Sequence, residues 1–160
     1  MESFAKRRVW GPTPRYERVE AYERPTFGHG FITIAGPCSV ESADQIFKVA
    51  KHVASHGATH LRGGVFRAGT YPGKNFGLVD RDLLGAYWGA ANENKLLNII
   101  EVLDYSEHQL DIVANYASCF QVGCRQMQNY TLLRALGAYN KPVFLKRHPG
   151  ATIDELLGSA

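Results

Sequence analysis

The residues best able to do chemistry stand just behind short apolar runs. Cys38 follows Phe31-Ile-Thr-Ile-Ala-Gly-Pro37, and Arg62 lies in His60-Leu-Arg-Gly-Gly-Val-Phe66, with Arg67, Thr70 and Lys74 beyond it. Glu101 and Asp104 close a third run, Gln121, Cys124 and Arg125 a fourth, and Lys146, Arg147 and His148 a fifth. Arg presents a planar fork that matches carboxylate and phosphate, whereas Lys acts as a point charge or an acid. A rim gathering these cations around one thiol suits a ligand that carries both a phosphate and a carboxylate. The chain has no GxxxxGK[ST] and no GxGxxG, which disfavours a nucleotide.

Each residue also has a plainer reading. A solitary cysteine such as Cys38 is commonly a small buried hydrophobe. Arg62 and Lys146 can be solvated or paired, and Glu101 and Asp104 can cap the helices that follow them. Cys119 and Cys124 read as packing residues, and His52, His56, His60 and His108 as surface or helix-end residues. The case for function rests on the convergence of several residues on one rim.

That convergence requires elements that place every run the same way round. The pattern predicts strands at Phe31–Ala35, His60–Phe66, Leu97–Leu103, Cys119–Val122 and Pro142–Lys146. Between them, helices are predicted at Ala43–His56, Asp80–Glu93, Ser106–Tyr116 and Met127–Leu136, and a last one opens at Thr152. Ile46, Val49, Ala50 and Val53 recur at helical spacing. Ser39 or Ser42 can cap the first helix, Gly57 and Gly137 end two of them, and Thr152 with Glu155 has capping-box spacing. Strand and helix in strict alternation imply a parallel sheet with right-handed crossovers. A (β/α)8 barrel typically needs ~250 residues. The pattern leaves two α/β readings over 31–160, an open doubly wound sheet or a partial (β/α)8 barrel of about five βα units, preceded by an irregular Pro- and Arg-rich arm at 1–30.

At 160 residues, 45% apolar and 21% charged, the composition is that of an ordinary globular domain. A net charge of +3, with the basic residues dispersed, gives no dense basic face for nucleic acid. No run approaches the ~18 apolar residues of a membrane span. Residues 1–8 lack the apolar stretch of a secretory signal, so a cytoplasmic location is expected. Three cysteines without paired spacing argue against a disulfide framework.

Five ordered segments carry a family resemblance: Ile34-Ala-Gly-Pro-Cys-Ser-Val-Glu-Ser42, Leu61-Arg-Gly-Gly-Val-Phe66, Glu101-Val-Leu-Asp104, Gln121-Val-Gly-Cys-Arg-Gln-Met-Gln-Asn129 and Pro142-Val-Phe-Leu-Lys-Arg147. Together they resemble 3-deoxy-D-arabino-heptulosonate 7-phosphate (DAHP) synthase, of the subfamily related to 3-deoxy-D-manno-octulosonate 8-phosphate synthase. The resemblance implies a metal-dependent condensation of phosphoenolpyruvate with erythrose 4-phosphate that opens the shikimate pathway of aromatic amino acid biosynthesis. It implies that Cys38 is a ligand of a divalent metal of the Mn, Fe, Co or Zn class. It also implies that Arg62, Arg125 and Lys146 grip phosphoenolpyruvate, with Lys146 assisting proton transfer. Arg67, Thr70 and Arg147 are further expected substrate contacts.

Two departures stand out. The family's Lys-Pro-Arg-Thr reads Arg67-Ala-Gly-Thr70, so Gly69 removes a guanidinium expected at the sugar phosphate. The family's remaining metal ligands come from strands after the fifth. The chain alone is thus expected to lack wild-type-like activity, and a second copy or a partner chain is expected to cover the open sheet edge. Two other readings remain: a non-catalytic phosphate-binding or oligomerising module, and condensation with a different phosphorylated aldose.

Overall fold

The protein was analysed as a computed structural model, which describes residues 31–66, 81–103 and 107–160. Five strands, β1 (Ile34–Ala35), β2 (His60–Gly63), β3 (Leu97–Val102), β4 (Cys119–Val122) and β5 (Val143–Leu145), alternate with five helices. The helices are α1 (Ala43–Ser55), α2 (Arg81–Glu93), α3 (Glu107–Tyr116), α4 (Tyr130–Gly137) and α5 (Ile153–Ser159). The sheet order is β1-β2-β3-β4-β5, and every neighbouring pair is parallel. Right-handed crossovers between sequential neighbours put all the helices on one face, so the sheet curls away from them as in a barrel. The result is a five-stranded partial barrel of the (β/α)8 type, the second of the two expected readings.

The core lies between sheet and helices. Ile46 and Ala50 of α1, Leu84 and Tyr87 of α2, Leu110 and Val113 of α3, and Leu132 and Leu136 of α4 are buried against Leu61, Ile100, Phe120 and Val122 of the strands. Tyr87 is the polar exception within this layer. Its hydroxyl accepts from the Ile99 N–H at 3.2 Å, and its one proton can go to the Leu61 carbonyl at 2.7 Å or the Ile99 carbonyl at 2.9 Å. Burial pushes its pKa well above the usual tyrosine value, against the weaker opposing effects of the Ile99 hydrogen bond and the Arg62 charge.

The amino ends of the strands are knitted by polar groups. Asn98 is buried; its amide donates to the Tyr116 carbonyl at 2.8 Å and accepts from the Ser118 N–H at 2.7 Å. Lys141 donates to the Ala117 carbonyl at 2.6 Å, and burial lowers its pKa.

Several boundaries differ from the sequence expectation. The β1 ladder is shorter than Phe31–Ala35: Phe31 is 88% exposed, although the Thr33 carbonyl still accepts from the Thr59 and His60 N–H groups. β2 ends at Gly63, and β5 is pared to three residues. Pairing continues past both ends of β5, where the Pro142 carbonyl accepts from Phe120 and the Lys146 N–H donates to Val122. α4 begins at Tyr130 and not at Met127. A 3-10 turn at Cys124–Gln126 intervenes, and the Asn129 side chain caps the helix by accepting from Leu132 N–H at 3.2 Å. Met127 is buried beneath that turn, and Gly137 is the last helical residue rather than the one after it. His60, expected at the surface, is 1% exposed because it opens a strand covered on both faces; burial lowers its pKa. The arm at 1–30 lies outside the described residues, as does the side chain of His108.

Candidate functional site

The turn after β1 is built onto the carboxyl end of β2. Gly36 has φ of +145°, and a Cβ there would stand 2.0 Å from the Arg62 carbonyl oxygen. Only glycine fits this approach. The Val40 N–H then donates to the Gly64 carbonyl at 3.0 Å. Ser42 caps α1 by accepting from Gln45 N–H at 3.1 Å, while the Gln45 side chain accepts from Glu41 N–H at 2.8 Å. This clamp sets the exposed Cys38 beside Arg62, and both terminal guanidinium nitrogens of Arg62 lie 3.7 Å from Sγ. Two sequence candidates 24 residues apart thus meet at one point.

The next strand ends continue the rim. Glu101 pairs with Gln121 across β3 and β4, and a Cβ on Gly123 would lie 2.5 Å from Glu101 Oε1. The carboxylate therefore leans over the β4 turn, a position that its sequence reading as a helix cap does not describe. Behind that turn, Cys124, Arg125, Met127, Gln128, Asn129 and His148 line an open hollow of about 390 Å3. Arg125 is exposed on it. His148 Nδ1 accepts from Gly150 N–H at 3.1 Å, and its backbone N–H meets Met127 Sδ at 3.2 Å. Lys146, half-buried, follows β5 and so stands at the same carboxyl edge. Arg147 turns back on its own loop, where one guanidinium nitrogen donates to the carbonyls of His148 (3.1 Å), Pro149 (3.2 Å) and Ala151.

The structure thus joins Cys38 to Arg62 and Arg125 to His148, and sets Lys146 on the same edge. Arg67, Thr70, Lys74 and Asp104 lie outside the described residues. Cys119 is a packing residue, buried, its thiol pushed up to about 12 by burial. Sequence reasoning passed over Gly123, whose small size seats Glu101 as that of Gly36 seats Cys38. A glycine immediately before or after a candidate residue was the available signal. Among the described residues no three His, Cys, Asp or Glu side chains cluster as a metal site. Cys38 alone does not make up the roughly three protein ligands of a catalytic ion, so the described residues do not fit one.

Parallel βα units with an arginine- and lysine-bearing rim at their carboxyl edge define a protein of the (β/α)-barrel type. Residues 25–160 match the DAHP synthetase I family, and the chain belongs to that family. It is 40% identical over 134 residues to the phospho-2-dehydro-3-deoxyheptonate aldolase of Thermotoga maritima, an alignment covering 83% of this chain and 39% of that protein. A solved structure of that aldolase (DAHP synthase) superposes with a TM-score of 0.70 at 37% identity, covering 81% of this chain and 37% of the other. A truncated form of the Thermotoga maritima 3-deoxy-D-arabino-heptulosonate 7-phosphate synthase gives 0.68 at 36% identity, covering 81% and 44%. The chain therefore spans about two-fifths of the length of the curated relative it matches.

Proposed function

We propose that this chain supplies the phosphoenolpyruvate-binding part of a DAHP synthase-type active site. The observation that carries the reading is the convergence of Arg62, Arg125 and Lys146 on the carboxyl edge of one parallel sheet. Arg62 and Arg125 provide forks for the phosphate and carboxylate of phosphoenolpyruvate, and Lys146 provides an ammonium at the same edge. Held so, the enol carbon would be prepared to attack the aldehyde of erythrose 4-phosphate, with Lys146 moving the proton. Arg67 and Thr70 would extend the grip toward the sugar phosphate, and Arg147 would hold the β5 loop that carries Lys146. The family chemistry calls for a divalent metal with Cys38 as one ligand. No step is assigned to it here, because the described residues lack the other ligands.

Calorimetric titration with phosphoenolpyruvate tests the reading. Binding by the chain is expected, weakened about ten- to a hundredfold by Arg62→Ala or Arg125→Ala, since a hydrogen bond to a charged group contributes ~1.5–3 kcal/mol. No binding, or binding indifferent to both substitutions, would count against it. With erythrose 4-phosphate and manganese added, no wild-type-like turnover is expected of the chain alone; robust, chelator-sensitive turnover would overturn that expectation.

One observation favours a second reading, an interaction module. The outer edge of β5 has no strand beside it among the described residues, and Val143 and Phe144 are 39% and 38% exposed there. A bare apolar edge strand invites another chain. Light scattering on a sizing column should find self-association that Phe144→Lys reduces; a strictly monomeric chain would set this reading aside.

A further inference from the structure

Far from the rim, on the outer face of α1, two exposed histidines stand one helical turn apart. The His52 and His56 rings are 4.4 Å apart between centroids and inclined at 38°. His52 lies in the last turn of α1 and His56 is the C-cap that follows it, so the i and i+4 spacing still brings the two rings together at the helix end. The hydrogen bonds around His56 fix its tautomer. Its Nδ1 lies 2.8 Å from the His52 carbonyl oxygen, which can only accept, so Nδ1 carries the proton. The Ser55 hydroxyl gives its own proton to that same carbonyl at 2.8 Å and can accept from His56 Nδ1 at 3.2 Å. The lone pair of His56 therefore sits on Nε2, turned away from these bonds. A backbone carbonyl holding the Nδ1 proton so that Nε2 can ligate is the arrangement usual around metal-bound imidazoles. The His52 ring has no hydrogen bond among the described residues and is free to turn toward its neighbour.

We propose that His52 and His56 chelate a transition-metal ion of imidazole preference, Cu(II), Ni(II) or Zn(II), with water completing the coordination. Imidazole nitrogen suits these ions, and Cu(II) stands highest in the general affinity order. Two donors on the last turn and the C-cap of one helix bind as a unit, because the second ligation is intramolecular at high effective concentration. The charges along the helix do not oppose this. Lys48, one turn before His52, is paired with Asp44 at 2.7 Å, and Lys51 is an exposed neighbour. The site is independent of Cys38 and of the anion-binding rim.

The test uses the untagged full chain, titrated with Cu(II) or Ni(II) by calorimetry and followed by paramagnetic broadening of the histidine ring resonances. One equivalent should bind, broadening His52 and His56 first, and Cys38→Ser should retain it. His52→Ala and His56→Ala should each lower the affinity by at least the roughly ten- to hundredfold that follows loss of an outer partner, because here a ligand itself is removed. Both positions are exposed, and circular dichroism verifies that each variant stays folded. Absence of binding overturns the proposal. So does binding that survives the double variant or disappears with Cys38→Ser.

Discussion

Replacing Gly36 with alanine tests whether the turn bearing Cys38 is truly locked onto β2. The backbone there has φ of +145°, and the new Cβ would stand 2.0 Å from the Arg62 carbonyl oxygen. An L-residue in sparsely populated backbone space costs of order 1–3 kcal/mol. Forcing a methyl into filled space adds about 1–3 kcal/mol more. The combined loss of about 2–6 kcal/mol is a large part of the ~5–15 kcal/mol that keeps a domain folded. With a urea dependence of about 2 kcal/mol per molar, the midpoint should fall by about 1–3 M. Gly57→Ala is the control. Gly57 also has a positive φ, +82°, but its Cβ would meet nothing within 4 Å, so only the backbone cost remains. Equilibrium urea unfolding of both variants, followed by fluorescence and circular dichroism, isolates the overlap term as their difference. If Gly36→Ala unfolds no more readily than Gly57→Ala, the contact with Arg62 is not what seats Cys38.

Tyr87→Phe removes a hydroxyl that serves backbone groups of both β2 and β3. It should cost about 1–3 kcal/mol in urea unfolding, because a buried carbonyl loses its donor. His60 titrates below its ordinary value because it is buried, so the unfolded chain takes up the proton first as pH falls. The stability it contributes is present above the ordinary histidine range and is lost through that range and below it; His60→Gln should flatten the change in urea midpoint between neutral and mildly acidic solution. The capping box at Thr152 and Glu155 holds the Glu155 carboxyl below its usual value through the Thr152 N–H and hydroxyl. Its contribution is present above the ordinary carboxylate range and disappears as pH falls through the lowered value. Thr152→Ala should therefore fray α5, read by amide exchange of residues 153–159, and reduce that acid dependence, since alanine keeps the backbone N–H; unchanged exchange would refute the box.

What could be read from the chain divides by range. Local chemistry was legible: Ser42 caps α1, Gly57 takes the left-handed position after it, and Thr152 and Glu155 close a capping box. Each depends on residues within a few positions of one another. Strand alternation with helix also gave the parallel order, because short crossovers leave little choice of topology. Periodicity failed where a buried side chain belonged to a turn. Met127 is apolar because it packs beneath the 3-10 turn, and Asn129, a stronger cap, starts α4 three residues later than expected. His60 failed for a related reason, since the type of a residue does not reveal that its strand is covered on both faces. The Cys38–Arg62 contact and the three-way hydroxyl bonding of Tyr87 depend on register between β1, β2 and β3, which no local pattern encodes.

The two ends of the sheet carry separate burdens. At the amino ends, Thr33 with Thr59, Asn98 with Ser118, and Lys141 with Ala117 bind strand to loop through buried or half-buried polar groups. Each of these groups makes its hydrogen bonds within the chain. At the carboxyl ends, Arg125 and His148 border a hollow, Lys146 is half-buried, and Arg62 meets the Cys38 thiol. Donors of that kind are costly to gather, because like charges repel and each must be partly stripped of water. A fold that seats its first turn on the Arg62 carbonyl through an obligatory glycine brings one of these cations beside Cys38. The two ends thus differ in kind: hydrogen bonds within the chain knit the amino end, while the carboxyl end carries exposed and half-buried cations, the arrangement on which the proposed anion binding rests.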